Sequence, residues 1–150
     1  GLAVPQSGRV TGLEGRRPAV VFQEDRLLPW ETAWQNAVTG ADPGARERAR
    51  AWLVRLGLGE SLHARPGELS GGMRRRVAMA RALAADADLL LLDEAFTGLD
   101  EPAWRRAAEL VAGAAGAGRL TVLITHVPEQ AAALGAAVVR LEGPPLRRVS

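Results

Sequence analysis

"LLLLDEAFTGLD", residues 89–100, runs four leucines directly into two adjacent carboxylates. Extended back to Ala87, the apolar run reads as a parallel strand covered on both faces. Asp93 and Glu94 then stand at its carboxyl end, which is where ligands gather in open parallel sheets. One carboxylate in such a place suits Mg²⁺, usually held through water, and its neighbour suits a base acting on an attacking water. An exposed acidic turn after a core strand would have the same letters. The pair therefore needs support from the rest of the chain.

Other strands are read on either side of this one. "LTVLITH" (Leu120 to His126) is a second continuous apolar run, also expected to be covered on both faces, and "RPAVVFQ" (Arg17 to Gln23) is a short β-branched run. "AAVVRLEG" (Ala136 to Gly143) gives a fourth strand. Helical patterns lie between them. "GGMRRRVAMARALAAD" follows Ser70, and "EPAWRRAAELVAGAAG" follows Asp100, both good N-cap residues. Pro102 falls in the first turn of the second helix, where its missing N–H costs nothing. "PGARERARAWLVRLGL" (Pro43 to Leu58) has apolar residues at helical spacing and Gly57 near its end, and a last helix spans roughly Glu129 to Leu134. From residue 71 onward helix and strand alternate, which implies an α/β layered sheet with right-handed crossovers. Leu28 to Leu69 holds no convincing strand and reads as a helical insertion after "VVFQ".

Composition narrows the chemistry. The 150 residues suffice for one domain with a real core, and 47% hydrophobic with 24% charged residues is a globular balance. No apolar run approaches the roughly 20 residues needed to span a bilayer. The opening "GLAVPQSGRV" lacks the charged and apolar blocks of a signal peptide. The absence of cysteine excludes disulfides, zinc thiolate sites and cysteine nucleophiles. All 19 basic residues are arginine and the net charge is only +2, so the basic pI mostly reflects arginine in place of lysine and is not a strong nucleic-acid signal.

Three more stretches bear on the acidic pair. In "LSGG", Leu69 to Gly72, Ser70 can cap a helix whose first N–H groups the glycines leave open, a setting that attracts phosphate. Arg74, Arg75 and Arg76 follow in the first turns, where the helix dipole disfavours cations, so they face either an anion or solvent. His126 ends its strand in "LITHVPEQ", where an imidazole can reach a phosphate oxygen. Gln23 ends "AVVFQ". Each has a bland reading as cap or strand end, but all fall on one expected sheet edge, a coincidence those readings explain poorly.

These residues resemble the nucleotide-binding domain of ATP-binding cassette (ABC) transporters. "LSGGMRRRVAMARAL" is similar to the family signature with its helix, and "LLLLDEAFTGLD" to the Walker B strand with the D-loop. "VLITHVPEQAAAL" resembles the switch-histidine region and "VVFQEDRLLPW" the Q-loop, all in the family's order. The resemblance implies a P-loop NTPase-like parallel sheet core, incomplete here, with a helical subdomain inserted after the Q-loop. It places residues 1–28 in the ATPase core up to the Q-loop, 29–85 in the helical subdomain, and 86–150 in the C-terminal part of the core. It implies ATP and Mg²⁺ as ligands. Asp93 would hold Mg²⁺ through water, Glu94 would polarise the attacking water, and His126 would contact the γ-phosphate. Gln23 would sense Mg²⁺ and nucleotide. Ser70, Gly71 and Gly72 would bind the γ-phosphate of ATP held by the opposite subunit of a head-to-tail dimer, and Asp100 would sit across that interface. The implied partners are a transmembrane permease subunit, a second nucleotide-binding subunit and a solute-binding protein, with no nucleic acid. The implied place is the cytoplasmic face of the membrane, as a peripheral subunit.

Departures from the family pattern are limited to a few positions and one absence. Met73 stands where Gln is usual and cannot complete a capping box with Ser70. "DEAF" replaces the commoner "DEP", and Val127 follows the switch histidine where an acid is frequent. With no lysine anywhere, the chain cannot contain the phosphate-cradling loop G-x-x-x-x-G-K-[ST]. The expectation is a family member lacking an N-terminal portion of several dozen residues, with "GLAVPQSGRV" just after the P-loop helix. Residues 1 to 150 alone should then bind ATP weakly and hydrolyse it negligibly; a titration reaching micromolar MgATP affinity would contradict this. "LLPWETAWQNAV" is similar to the same segment of nitrate, sulfonate and taurine importers. Trp30 and Trp34, one helical turn apart, either form part of the groove for the membrane subunit or pack within the helical subdomain. Two other readings stay open: a soluble ABC ATPase of translation or DNA repair, and a non-catalytic ABC-derived module.

Overall fold

The computed structural model describes residues 7–40, 42, 44–115, 119–144 and 147–149. In chain order the elements are β1 (Pro18–Val21), α1 (Ala33–Val38), α2 (Ala45–Arg55), α3 (Gly71–Ala84), β2 (Leu89–Asp93), α4 (Glu101–Ala115), β3 (Leu120–Ile124), α5 (Pro128–Ala133), β4 (Arg140–Glu142) and β5 (Arg147–Val149). Short 3₁₀ turns at Gly59–Ser61 and Pro66–Glu68 link α2 to α3. Pro43 and Gly116, at the expected ends of two helices, and the first six residues lie outside the described set. Among the described residues no helix is long and apolar enough to cross a membrane.

The leucine run forms β2, the middle strand of a parallel sheet ordered β1-β2-β3. Register pairs Val21 with Leu92 and Asp93 with Ile124, so the three strands end at one level. Leu90 and Leu92 are fully buried, as a middle parallel strand requires. A hydrogen-bonded knot ties the start of the sheet together. Arg17 N donates to Asp88 Oδ2 at 3.0 Å, and Asp88 N returns a bond to Arg17 O at 3.0 Å.

Helix α3 packs against α1, α2 and β1. Val77 to Ala80 and Ala82 to Ala84 are buried, so α3 has almost no solvent face and is a central helix rather than a surface one. Small side chains permit the close approach: Ala33 and Ala37 on α1 and Ala45 and Ala49 on α2 are all fully buried. A six-residue helix such as α1 is marginal by itself. A capping box holds its start, with Gln35 N donating to Thr32 Oγ1 at 3.2 Å and Thr32 N to Gln35 Oε1 at 2.8 Å. Asn36 is fully buried and fully used: its Nδ2 donates to the carbonyls of Leu28, Glu31 and Thr32, and its Oδ1 accepts from Leu28 N at 2.7 Å. The stretch from Leu28 to Leu69 contains helices and turns and, among its described residues, no strand.

Two expectations need correction. β3 is not covered on both faces. Thr121 and Leu123 are half-buried beside α4 and α5, whereas Leu120, Val122 and Ile124 are 46%, 43% and 60% exposed. β3 pairs only with β2, so its other edge is free among the described residues. The fourth strand is shorter than 136–143 and does not join this sheet; β4 pairs antiparallel with β5 in a separate two-stranded ribbon. Apolar composition makes a stretch fit for a strand without naming its neighbour. Val138, Val139 and Leu141 accordingly stay exposed.

Candidate active site

The common end of the strands brings four of the expected residues to one edge. Gln23 lies two residues past β1, Asp93 ends β2, Glu94 follows it, and His126 lies two residues past β3. Glu94 leaves the strand with φ of 49°, a left-handed conformation that costs a non-glycine residue about 1 kcal/mol or more. Its N–H still bonds Ile124 O at 3.0 Å, so the turn stays fastened to β3 while the side chain is redirected.

Both carboxylate oxygens of Glu94 are engaged. Oε1 lies 2.8 Å from His126 Nδ1, and Oε2 accepts from Thr97 Oγ1 at 3.0 Å. The hydrogen bond from His126 first, and that from Thr97 after it, hold the carboxyl below its ordinary value of 4.5, against the opposing effect of burial. The Glu94 side chain is 21% exposed and that of His126 75% exposed, so the second ring nitrogen faces outward. Thr97 carried no signal of its own; its place three residues after Glu94 in a tight turn, with Thr97 N bonded to Glu94 O at 3.0 Å, explains its role.

Asp93 is half-buried and, among the described residues, its carboxylate has no hydrogen-bond or ion-pair partner. No group of three acidic or histidine residues suited to a metal occurs among the described residues. That donor set fits Mg²⁺, which takes one or two carboxylates and fills its shell with water and phosphate oxygens. A protein-only cage is absent from the described residues. Gln23 is exposed, and among the described residues only its backbone carbonyl is engaged.

The tip of α3 is a second cluster. Ser70 Oγ accepts from Met73 N at 3.2 Å, the expected cap without a reciprocal arm. A side chain at Gly71 would meet no more than an ordinary contact, 3.8 Å from the end of Arg74. One at Gly72 would press within 3.4 Å of Gly98 O and of Leu99, so that glycine serves close packing of α3 on the loop before α4. Gly98 itself has φ of 79°. Asp100 is exposed and caps α4 by accepting from Ala103 N at 2.9 Å.

The arginines at the start of α3 reach mainly backbone carbonyls, with Arg75 and Arg74 also beside the Asp25 carboxylate at 3.3 and 3.9 Å. Arg74 donates to Leu69 O at 2.8 Å, Arg76 to Leu56 O at 2.8 Å, and Arg75 to the carbonyls of Phe22 and Gln23. Each satisfies backbone acceptors at a loop or helix end, a long-range destination that a run of three arginines does not reveal. Trp30 and Trp34 do not share a helix face either. Trp34 lies on α1 and packs against the core, while Trp30 sits in the preceding turn and is 66% exposed.

Residues 1–97 match the family described as ABC transporter. The chain is 55% identical over 83 residues to an aliphatic sulfonates import ATP-binding protein of Pseudomonas fluorescens, covering 55% of this chain and 32% of that protein. It is 42% identical over 147 residues to the protein of that name from Burkholderia ambifaria, covering 95% of this chain and 46% of the relative. The chain thus spans less than half the length of either. A dimeric ATP-binding cassette in a post-hydrolysis state, bound to ADP and phosphate, superposes with a TM-score of 0.70 at 30% identity, over 78% of this chain and 55% of the other.

Proposed function

The chain belongs to the ABC transporter family, and from that premise we propose that it forms part of the ATP-binding, ATP-hydrolysing subunit of an importer for a small solute. Relatives named for aliphatic sulfonates support a solute of that kind. The observation that carries the reading is the Glu94–His126 contact of 2.8 Å at the carboxyl edge of a parallel sheet, beside an Asp93 that has no partner among the described residues. In this reading residues 1–28 and 86–150 belong to the ATPase core and 29–85 to a helical subdomain.

The chemistry follows from positions and charges. Asp93, with Gln23, would hold Mg²⁺ through water, and the bound ion would neutralise charge developing on the phosphates. Glu94 accepts a hydrogen bond from a water and polarises it for attack on the γ-phosphorus, as the bond from that phosphorus to the ADP oxygen breaks. His126 bridges two groups. With Nδ1 donating to Glu94, a protonated ring donates from its other nitrogen to a phosphate oxygen, which a neutral ring cannot do at the same time. Ser70, Gly71 and Gly72 would offer the open tip of α3 to ATP held by a second subunit, with Asp100 across the interface. The phosphate cradle, which needs a lysine, would come from outside these 150 residues. The free edge and uncovered apolar face of β3 suit a strand and helix bringing it. A permease subunit, a second nucleotide-binding subunit and a solute-binding protein complete the proposed assembly on the cytoplasmic face of the membrane.

The test is Glu94→Gln in the full-length protein. Steady-state ATP turnover should fall at least about 100-fold, the scale of a lost general base, with ATP affinity within about 3-fold. Turnover at the unmutated rate would reject the assigned role.

A further inference from the structure

The segment after β1 has an unusual means of support. Among the described residues, no backbone group of Gln23 to Arg26 bonds another backbone group. Its carbonyls are instead held by guanidinium groups from α3. Arg75 donates to Phe22 O at 2.6 Å and to Gln23 O, and Arg81 donates to Asp25 O at 2.9 Å and Arg26 O at 2.8 Å. The Arg75 side chain is 8% exposed, and its Nη1 lies 3.3 Å from Asp25 Oδ1, an ion pair without hydrogen-bond alignment. Arg74 adds a longer ion pair to the same carboxylate at 3.9 Å. The loop also carries Arg26 at φ of 47°, its guanidinium 3.9 Å above the Phe22 ring, a strained shape that depends on outside anchors.

We infer that Arg75 is a positioning residue that fastens the Gln23 loop to α3, so that Gln23 and the Ser70 tip are carried on one rigid unit. The inference rests on the proposed ATPase reading for what the two ends do, but its structural part stands alone. Arginine is required by geometry. Its planar fork reaches two successive carbonyls at once, while lysine offers one point charge that holds one. A buried cation is costly unless paired, and here Asp25 and the two carbonyls supply the pairing. Removing the fork leaves those part-buried carbonyls without their guanidinium donors, and the loop then relaxes toward water. A shift of the helical part would therefore move the Gln23 loop and the Ser70 tip together.

The experiment uses the full-length protein with Arg75→Met and Arg75→Lys, reading amide order parameters by NMR together with kcat and KM for MgATP. In Arg75→Met the order parameters of Gln23 to Arg26 should drop from about 0.85 to below about 0.6 while those of β2 hold. kcat should fall about 10- to 100-fold with KM within about 2-fold, as expected when a catalytic group is misplaced and substrate affinity is kept. Arg75→Lys keeps the charge and loses the fork, so it should remain loosened at Gln23 to Arg26; it carries the test if the Met variant fails to fold. An unchanged loop in both variants, or a raised KM at unchanged kcat, overturns the inference. Loosening of the loop in a protein whose unmutated form has no ATPase activity overturns the proposed function and leaves the positioning role in place.

Discussion

The two flanks of β2 are built differently. On one side β1, α3, α1 and α2 enclose a core in which Leu53, Val77, Met79 and Leu90 are fully buried. On the other, β3 covers β2 but exposes its own Leu120, Val122 and Ile124, and the β4–β5 ribbon stands apart with Leu141 exposed. Both flanks are rich in aliphatic residues, so hydrophobicity does not separate them. Partners do. Among the described residues β1 and β3 each leave one edge free, but only β3 also carries a bare apolar face, its other side lying against α4 and the end of α5. Parallel sheets are normally covered on both faces, and among the described residues nothing covers this one.

The largest expected effect falls on the buried core that β2 shares with both flanks. Phe96 is 1% exposed in the turn after Glu94, its ring 6.4 Å from that of Trp104 at a tilt of 51°. Phe96→Ala removes an aromatic side chain from a site with little room to collapse and should cost about 3–5 kcal/mol, read as a lowered urea midpoint. A cost below about 1 kcal/mol would mean that this core is loosely packed, and its contrast with the bare face of β3 would fail.

The contrast also shows what the letters of the chain reveal. Strand β2 and the starts of α3 and α4 are legible because their causes are local: four successive leucines, Ser70 three residues before the N–H it accepts, and Asp100 likewise before Ala103. The edge shared by Gln23, Asp93, Glu94 and His126 is legible too, because parallel strands of similar length end together. The destinations of Arg74, Arg75 and Arg76 are not, since their acceptors lie anywhere from 4 to 53 residues away in sequence. Asn36 passes unnoticed for the same reason: a polar letter in a short helix does not disclose that four hydrogen bonds await it in the core. Whether β3 is covered on one face or two depends on elements that its own residues do not specify.

A substitution on the bare face gives the smallest expected effect and the sharpest use of the contrast. Val122 is 43% exposed at the middle of β3, between Leu120 and Ile124 on the same face. Val122→Thr keeps the β-branched shape and the strand preference and exchanges one methyl for a hydroxyl. Where water reaches the face, that hydroxyl is solvated, and the stability of residues 1–150 should change by less than about 0.5 kcal/mol in urea unfolding. In a longer protein whose added strand and helix cover β3, the same hydroxyl is buried without a partner and should cost about 1–3 kcal/mol. Equal, small changes in both would leave the face bare in the whole protein and break the proposal that the phosphate-cradling segment packs there. A large change already present in residues 1–150 would mean that these residues cover the face themselves, and the difference between the two flanks would disappear.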